Sequence, residues 1–269
     1  MYTFRQPFLH YRIILLSLLP VMKFNTVLFI YLLCGILPSC QGQQKPTEKE
    51  IAGDSSYTYQ KAAADGTGKF YRGREIAHVM GAAGSAWLER SERQQEENTR
   101  LAIDKMPLPP HAVVADIGAG TGYYSFRIAA KIPGGRLYAV EIQDEMIQLL
   151  RNKKAALKDS VVTIIKGSAL SVNLPANSID LAIMVDVYHE LAFPREMLQS
   201  IRQALKPTGK ILLIEYRGED PAVPIKALHK TTVAQLNQEL MANGFVLQYK
   251  GDFLPIQHFL LYEKQDGYR

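Results

Sequence analysis

From Val113 to Lys264 the chain alternates short apolar, β-branched runs with helical stripes, a pattern that few folds can accommodate. VVADIG, RLYAVEI (136–142), VVTIIKG (161–167), IDLAIMVDV (179–187) and KILLIEY (210–216) read as five strands. The fourth run is unbroken enough to imply burial on both faces. Between these runs, residues 123–130 read as helix, and Met146, Leu149, Leu150 and Leu157 share one helical face. Met197, Leu198, Ile201 and Leu205 form another stripe, closed by Pro207 and Gly209, and Val233, Leu236 and Leu240 mark a last helix ending at Asn243-Gly244. FVLQYKG and HFLLYEK then flank Pro255 with too few residues between them for a helical crossover, so they should pair antiparallel. The reading is α/β: a doubly wound, mostly parallel seven-stranded sheet with an antiparallel terminal hairpin, over residues 109–264.

With 269 residues, 47% of them hydrophobic, the chain can bury one enzyme-sized core. Three of its 31 basic residues (Arg5, Arg12, Lys23) precede Cys40 with no acid among them. Beyond that point 28 basic residues face 26 acidic ones, and this balance, with no basic block, argues against a nucleic-acid partner. Both cysteines, Cys34 and Cys40, lie in the first forty residues. The folded part therefore has no disulfide, cysteine zinc site or cysteine nucleophile.

The first forty residues read as an address. Lys23, the apolar run VLFIYLLCGIL and Leu37-Pro38-Ser39-Cys40 have the layout of a secretory signal, and its end resembles a bacterial lipobox. That resemblance implies a signal peptide over residues 1–39, a lipid anchor on Cys40, and a domain held at a membrane facing the periplasm or outer membrane. A plain anchor over residues 13–37 is the alternative, and Met22-Lys23 would itself make a good start. Residues 40–69 read as a flexible tether, and 70–108 as a helical cap over the sheet edge, with the charge run ERSERQQEE on a solvated face.

Asp116-Ile117-Gly118-Ala119-Gly120-Thr121-Gly122 stands where the first strand turns into the first helix. Glycines there allow a tight turn and close approach of a ligand to free helix-end N–H groups. Tyr123 occupies the position of the third glycine of a dinucleotide fingerprint, which disfavours hydride transfer with NAD. Nineteen residues beyond Gly122, Glu141 ends the second strand, where a carboxylate can accept both ribose hydroxyls of an adenosine.

This set, with FYRGREIAHVMG, AWLERSER, VDVYHE, LHK and PIQH, resembles the class I S-adenosylmethionine-dependent methyltransferases, a Rossmann-like family, over residues 70–264. The resemblance implies that Gly118, Gly120 and Gly122 line the methionine and ribose of the cofactor and that Asp116 orders its ammonium. It implies that Glu141 holds the ribose, Ile142 flanks the adenine, and Ser168 with the backbone of Ala169 meets the adenine amino group. Asp186, at the end of strand four, is placed against the cofactor as well.

Direct displacement on a sulfonium requires alignment of nucleophile and methyl group, proton removal where the acceptor is protonated, and no metal. Directly after strand four, His189 is the candidate base, with Asp186 or Glu190 orienting it and Tyr188 lining the methyl path; alternatively His189 only shapes the pocket. Tyr71, Arg74, His78, His229 and His258 are the candidate acceptor pocket. His189, His229 and His258 could instead bind a metal, although no local ligand pair supports it. The function so read is methyl transfer from S-adenosylmethionine to a small or lipid-like acceptor; the alternative is a membrane-tethered binding module of the same fold.

Overall fold

A computed structural model describes residues 56–265 and Gly267; the stretches expected to be a signal peptide, a lipobox with Cys40 and the first part of a tether lie outside the described residues. The five internal runs form strands β4 (Val113–Ile117), β5 (Arg136–Glu141), β6 (Val162–Lys166), β7 (Ile179–Val185) and β8 (Leu205–Tyr216). With β9 (Phe245–Gly251) and β10 (Gln257–Lys264) they make a seven-stranded sheet in the order β6-β5-β4-β7-β8-β10-β9. Pairing is parallel from β6 to β8, and β10 inserts antiparallel to both β8 and β9.

Side chains alternate across such a sheet, so each strand feeds two cores. Val114, Leu137, Leu181, Ile183 and Leu212 face helices α3 (Thr99–Asp104), α4 (Tyr123–Ala129) and α5 (Asp144–Leu157). Ala115, Val140, Ala182, Met184 and Leu213 face α6 (Pro194–Ala204) and α7 (Val233–Met241). The buried face of α5 is Met146, Ile147 and Leu150, whereas Leu149 and Leu157 are exposed, contrary to the face read from the sequence. The strand order reverses between β4 and β7, and at their carboxyl ends a crevice opens.

Two expectations are corrected ahead of the sheet. Part of the end of the predicted tether, and the start of the predicted helical cap, form a three-stranded antiparallel sheet of β1 (Tyr57–Tyr59), β2 (Gly66–Tyr71) and β3 (Arg74–Ala77). The cause is Arg72-Gly73: both residues take positive φ (49° and 90°) between the paired Tyr71 and Arg74, the geometry of a two-residue hairpin turn. Helix begins only beyond it, in a 3-10 turn at Ala82–Gly84, α1 (Ser85–Leu88) and α2 (Arg93–Glu97). The charge run is not simply solvated either, because Arg93 and Glu97 are buried.

The small sheet docks through Tyr57, Tyr71 and Ile76 onto Phe193, whose ring meets Tyr57 edge-on at 6.0 Å. Phe193→Ala is expected to weaken this docking by ~3 kcal/mol. Hydrogen exchange should then quicken across residues 57–77 while β4, β5 and β7 keep their protection; equal protection in wild type and variant would contradict the docking.

Candidate functional site

The turn after β4 is shaped by three glycines in the left-handed region: Gly118 (φ 70°), Gly120 (54°) and Gly122 (78°). A Cβ on Gly118 would lie 2.6 Å from Val187 in the loop after β7, so the two loops touch across the crevice. Gly122 is different. It precedes α4 and abuts Leu150 and Phe126 rather than the crevice, which corrects its expected cofactor contact to a structural one. Glu141 is buried and fixed by three backbone donors, Gly120 N (2.9 Å), Ile142 N (2.7 Å) and Gln143 N (2.9 Å). Its remaining acceptor capacity belongs to the crevice wall.

Asp116 accepts a hydrogen bond from Ser125 Oγ at 2.5 Å. Burial pushes its carboxyl up to about 6 from the ordinary 3.8, against the pull of that hydroxyl and with help from the charge of Glu141. Asp186 is raised well above the usual range by burial first and then by Glu97 and Glu215. Gln257 Nε2 donates to both its oxygens (2.9 and 2.8 Å), and Arg93 stands 3.7 Å away. The Tyr124 hydroxyl on the crevice wall and Gln257 Oε1 are buried without a hydrogen-bond partner. One buried and one largely buried acid beside partnerless polar atoms fit a ligand that carries both positive charge and polar groups, as S-adenosylmethionine does. Arg93 was missed by sequence reasoning, although AWLERSER ends on it.

His189 is buried in a short 3-10 turn, Tyr188–Glu190. The residue that orients it is neither Asp186 nor Glu190 but Glu215, fully buried on β8, whose Oε2 lies 2.6 Å from His189 Nδ1. The Oε1 of Glu215 accepts from Val187 N and Tyr188 N. The only hint of this acid in the sequence was its place inside the apolar run KILLIEY. His189 Nε2 faces His229 Nδ1 at 3.0 Å, and His229 Nε2 faces Asp65 Oδ2 at 2.7 Å. The hydrogen bond to Glu190, and then the charges of Glu190 and Asp65, raise His229 above its ordinary pKa against the effect of burial.

A cavity of about 530 Å³ joins these parts. Asp116, Gly118, Gly120, Glu141, Ile142, Ser168, Ala169, Asp186, His78, His189 and His229 all line it, as do Arg93 and Trp87. Besides Gly122, four predicted site residues lie elsewhere. Arg74 makes a two-pronged ion pair with buried Glu239 (2.7 and 2.9 Å) and donates to His189 O. The Tyr188 hydroxyl also donates to Glu239, so its ring lies behind the turn and not in the methyl path. Tyr71 packs on Tyr57 and accepts from Asn243. His258 pairs with Glu219 in a separate depression, so the predicted trio with His189 and His229 is not assembled; Glu190 stands in its place.

The burial of Asp116 has a cost. Its folded pKa exceeds the unfolded one, so the folded state holds its proton more tightly, and ionisation above pH 6 costs about 3 kcal/mol of stability. Asp116→Asn keeps an acceptor for Ser125 and removes the charge. In chemical denaturation it should be more stable than wild type by up to ~3 kcal/mol at pH 8, with the difference vanishing below about pH 4.

Residues 109–259 match the family model described as a methyltransferase domain. An uncharacterized methyltransferase-like protein of Schizosaccharomyces pombe is 31% identical over 126 residues, 47% of this chain and 46% of that protein. A ubiquinone/menaquinone biosynthesis C-methyltransferase of Ectopseudomonas mendocina is 24% identical over 174 residues, 63% of this chain and 60% of that one. The chain spans about half the length of the first of the curated relatives it matches. A SAM-dependent methyltransferase from Aquifex aeolicus has the same fold, with a TM-score of 0.65 at 19% identity over 68% of this chain and 98% of that one. With its glycine turn and strand-end carboxylate at the switch point of the sheet, and with that match over residues 109–259, the chain belongs to the methyltransferase-domain family.

Proposed function

We propose that the chain transfers a methyl group from S-adenosylmethionine to a small, largely apolar acceptor bearing an ionisable hydroxyl. The observation that carries this reading is the single cavity joining the glycine turn and Glu141 to the His189–His229 pair. When bound, the cofactor supplies an electrophilic methyl group on a sulfonium. Asp116 and Asp186 hold its ammonium, Arg93 its carboxylate and Glu141 its ribose, while Ile142, Ser168 and Ala169 border the adenine. Trp87, Met80 and Ile225 add apolar surface to the same cavity for an apolar acceptor, and His78, also on its lining, is exposed. His189 takes the acceptor's proton at Nε2, sharing it with His229 Nδ1, and Glu215 and Asp65 stabilise the resulting charge from the outer sides of the two rings. The relative named for C-methylation in ubiquinone/menaquinone biosynthesis supports a largely apolar acceptor of that kind.

A lipid anchor at Cys40 would hold such a domain beside a lipid-like acceptor. Among the described residues no helix is long and apolar enough to cross a membrane. Metabolic fatty-acid labelling of wild type and Cys40→Ala checks the anchor, with label expected in wild type alone.

Calorimetry of the full-length chain with S-adenosylmethionine tests the cofactor half. Glu141→Ala should weaken binding by about 2–4 kcal/mol, whereas His189→Asn should lower turnover and leave affinity nearly unchanged. Because the ligand's positive charge requires ionised Asp116, affinity should be full above pH 7 and fall about tenfold per pH unit well below pH 6. Absence of binding by both S-adenosylmethionine and S-adenosylhomocysteine would overturn the proposal.

A further inference from the structure

The two cavity histidines are held in a way that a proton-accepting pair alone does not require. Each ring has its outer nitrogen against a carboxylate, His189 Nδ1 on Glu215 Oε2 at 2.6 Å and His229 Nε2 on Asp65 Oδ2 at 2.7 Å. An ionised carboxylate only accepts, so the N–H of His189 points outward to Glu215, and the carboxylate of Asp65 beside His229 Nε2 favours the same tautomer in the second ring. In a neutral ring the inner nitrogen then presents a lone pair. Those inner nitrogens, His189 Nε2 and His229 Nδ1, lie 3.0 Å apart. Glu190 Oε1 completes a triangle, 3.8 Å from the first and 3.4 Å from the second. Three electron-pair donors that converge on one point repel one another unless a positive charge sits among them.

The size of the triangle says which kind of charge suits it. Ligand atoms around a tetrahedral zinc-type ion, with bonds of about 2.0–2.1 Å, lie about 3.3 Å from each other. The three separations bracket that value. Imidazole donors favour a transition metal over magnesium or calcium. Metal-bound histidines also characteristically donate their second N–H to a carboxylate, which fixes ring and tautomer. His189 has that partner in fully buried Glu215, and a second carboxylate, Asp65 from the loop between β1 and β2, stands in ion-pair contact with the outer nitrogen of His229.

We propose that His189, Glu190 and His229 bind one divalent transition-metal ion, with Glu215 and Asp65 as supporting partners and the remaining coordination position open to the cavity. Two histidines and a glutamate with one open position is a donor set used by catalytic zinc. The site deepens the methyltransferase reading and rests on it only for its role: the ion takes the place of the shared proton, His189 Nε2 then serves as a ligand instead of the base, and a coordinated acceptor hydroxyl, its pKa lowered by the ion, gives its proton to solvent in the cavity. The binding itself does not depend on that reading.

The test uses the full-length chain without a histidine tag, stripped with a chelator and titrated with Co²⁺, followed by displacement with Zn²⁺. One equivalent of Co²⁺ should bind and give the intense visible bands of a four- or five-coordinate ion. Glu190→Gln and His229→Gln should each weaken uptake at least about 100-fold, and Asp65→Asn about tenfold, with melting curves showing that each variant is folded. His258→Gln should bind as wild type does. No uptake, or uptake unchanged in Glu190→Gln and His229→Gln, overturns the site and leaves a shared proton between the rings. A sulfur-to-metal charge-transfer band overturns it too, by placing the ion on Cys34 or Cys40. Parallel calorimetry with S-adenosylmethionine separates the two readings: cobalt bound without the cofactor keeps the metal site and removes the methyltransferase, and the reverse removes the metal site alone.

Discussion

A carboxylate taken out of water must be paired or surrounded by donors, and six acids at or behind the carboxyl edge of this sheet, five of them buried and Asp186 largely so, impose that demand on the rest of the molecule. Glu141 meets it with backbone N–H groups and Asp116 with Ser125. The other four reach further along the chain. Glu239 takes Arg74 from β3, and Glu97 takes Arg90, Arg93 and the Tyr216 hydroxyl. Asp186 takes Gln257, with Arg93 close by, and Glu215 takes His189. Removing one partner of such a buried pair typically costs 3–5 kcal/mol, because an uncompensated charge remains. The segment before the sheet is therefore tied down by Arg74 on Glu239, by Arg93 beside Asp186 and by Glu97 on the Tyr216 hydroxyl, as well as by the apolar patch under Phe193.

This explains which parts could be read from the sequence. Strand and helix periodicity is local, and β5 to β7 and β9 to β10 lie within a residue or two of the runs that mark them. β8 begins earlier than KILLIEY because Leu205 already pairs with Ile179, so Pro207 and Gly209 fall inside the paired segment and do not end it. The hairpin of β2 and β3 escaped because GTGKFY has glycines where a strand should alternate, and its turn is Arg-Gly rather than the commoner Asn-Gly. Arg93 and Glu97 looked like solvated helix charges, since nothing local distinguishes a buried i,i+4 ion pair from an exposed one. Glycine turn, Glu141 and His189 were legible because each sits at a strand end. Glu215, Arg74 and Tyr188 took their roles from long-range partners that no local pattern displays.

The same demand sets a tension between stability and function. Asp186 takes φ 54°, a conformation that costs a non-glycine residue free energy, and its carboxylate is pushed toward the neutral form. Two acids in one wall, both raised by burial, are poor contributors to the stability of the free protein. They are well placed to gain when a cation enters, so the free energy withheld from folding becomes available to binding.

What joins the glycine turn to the histidine turn is backbone, and the joint is Gly118. Its missing Cβ leaves room for Val187, and Val187 N together with Tyr188 N holds Glu215, which in turn orients His189. β4 and β7 are hydrogen-bonded neighbours, so the glycine turn and the histidine turn leave adjacent strand ends in a fixed register, Asp116 opposite Ile183. Alignment of a methyl donor with its acceptor to within a few tenths of an ångström is what such a reaction needs most from a protein. Here it is set by the pairing of two strands and by one hydrogen atom in place of a side chain. A larger residue at position 118 would displace Val187, and through Glu215 it would reach His189 without touching either reactant.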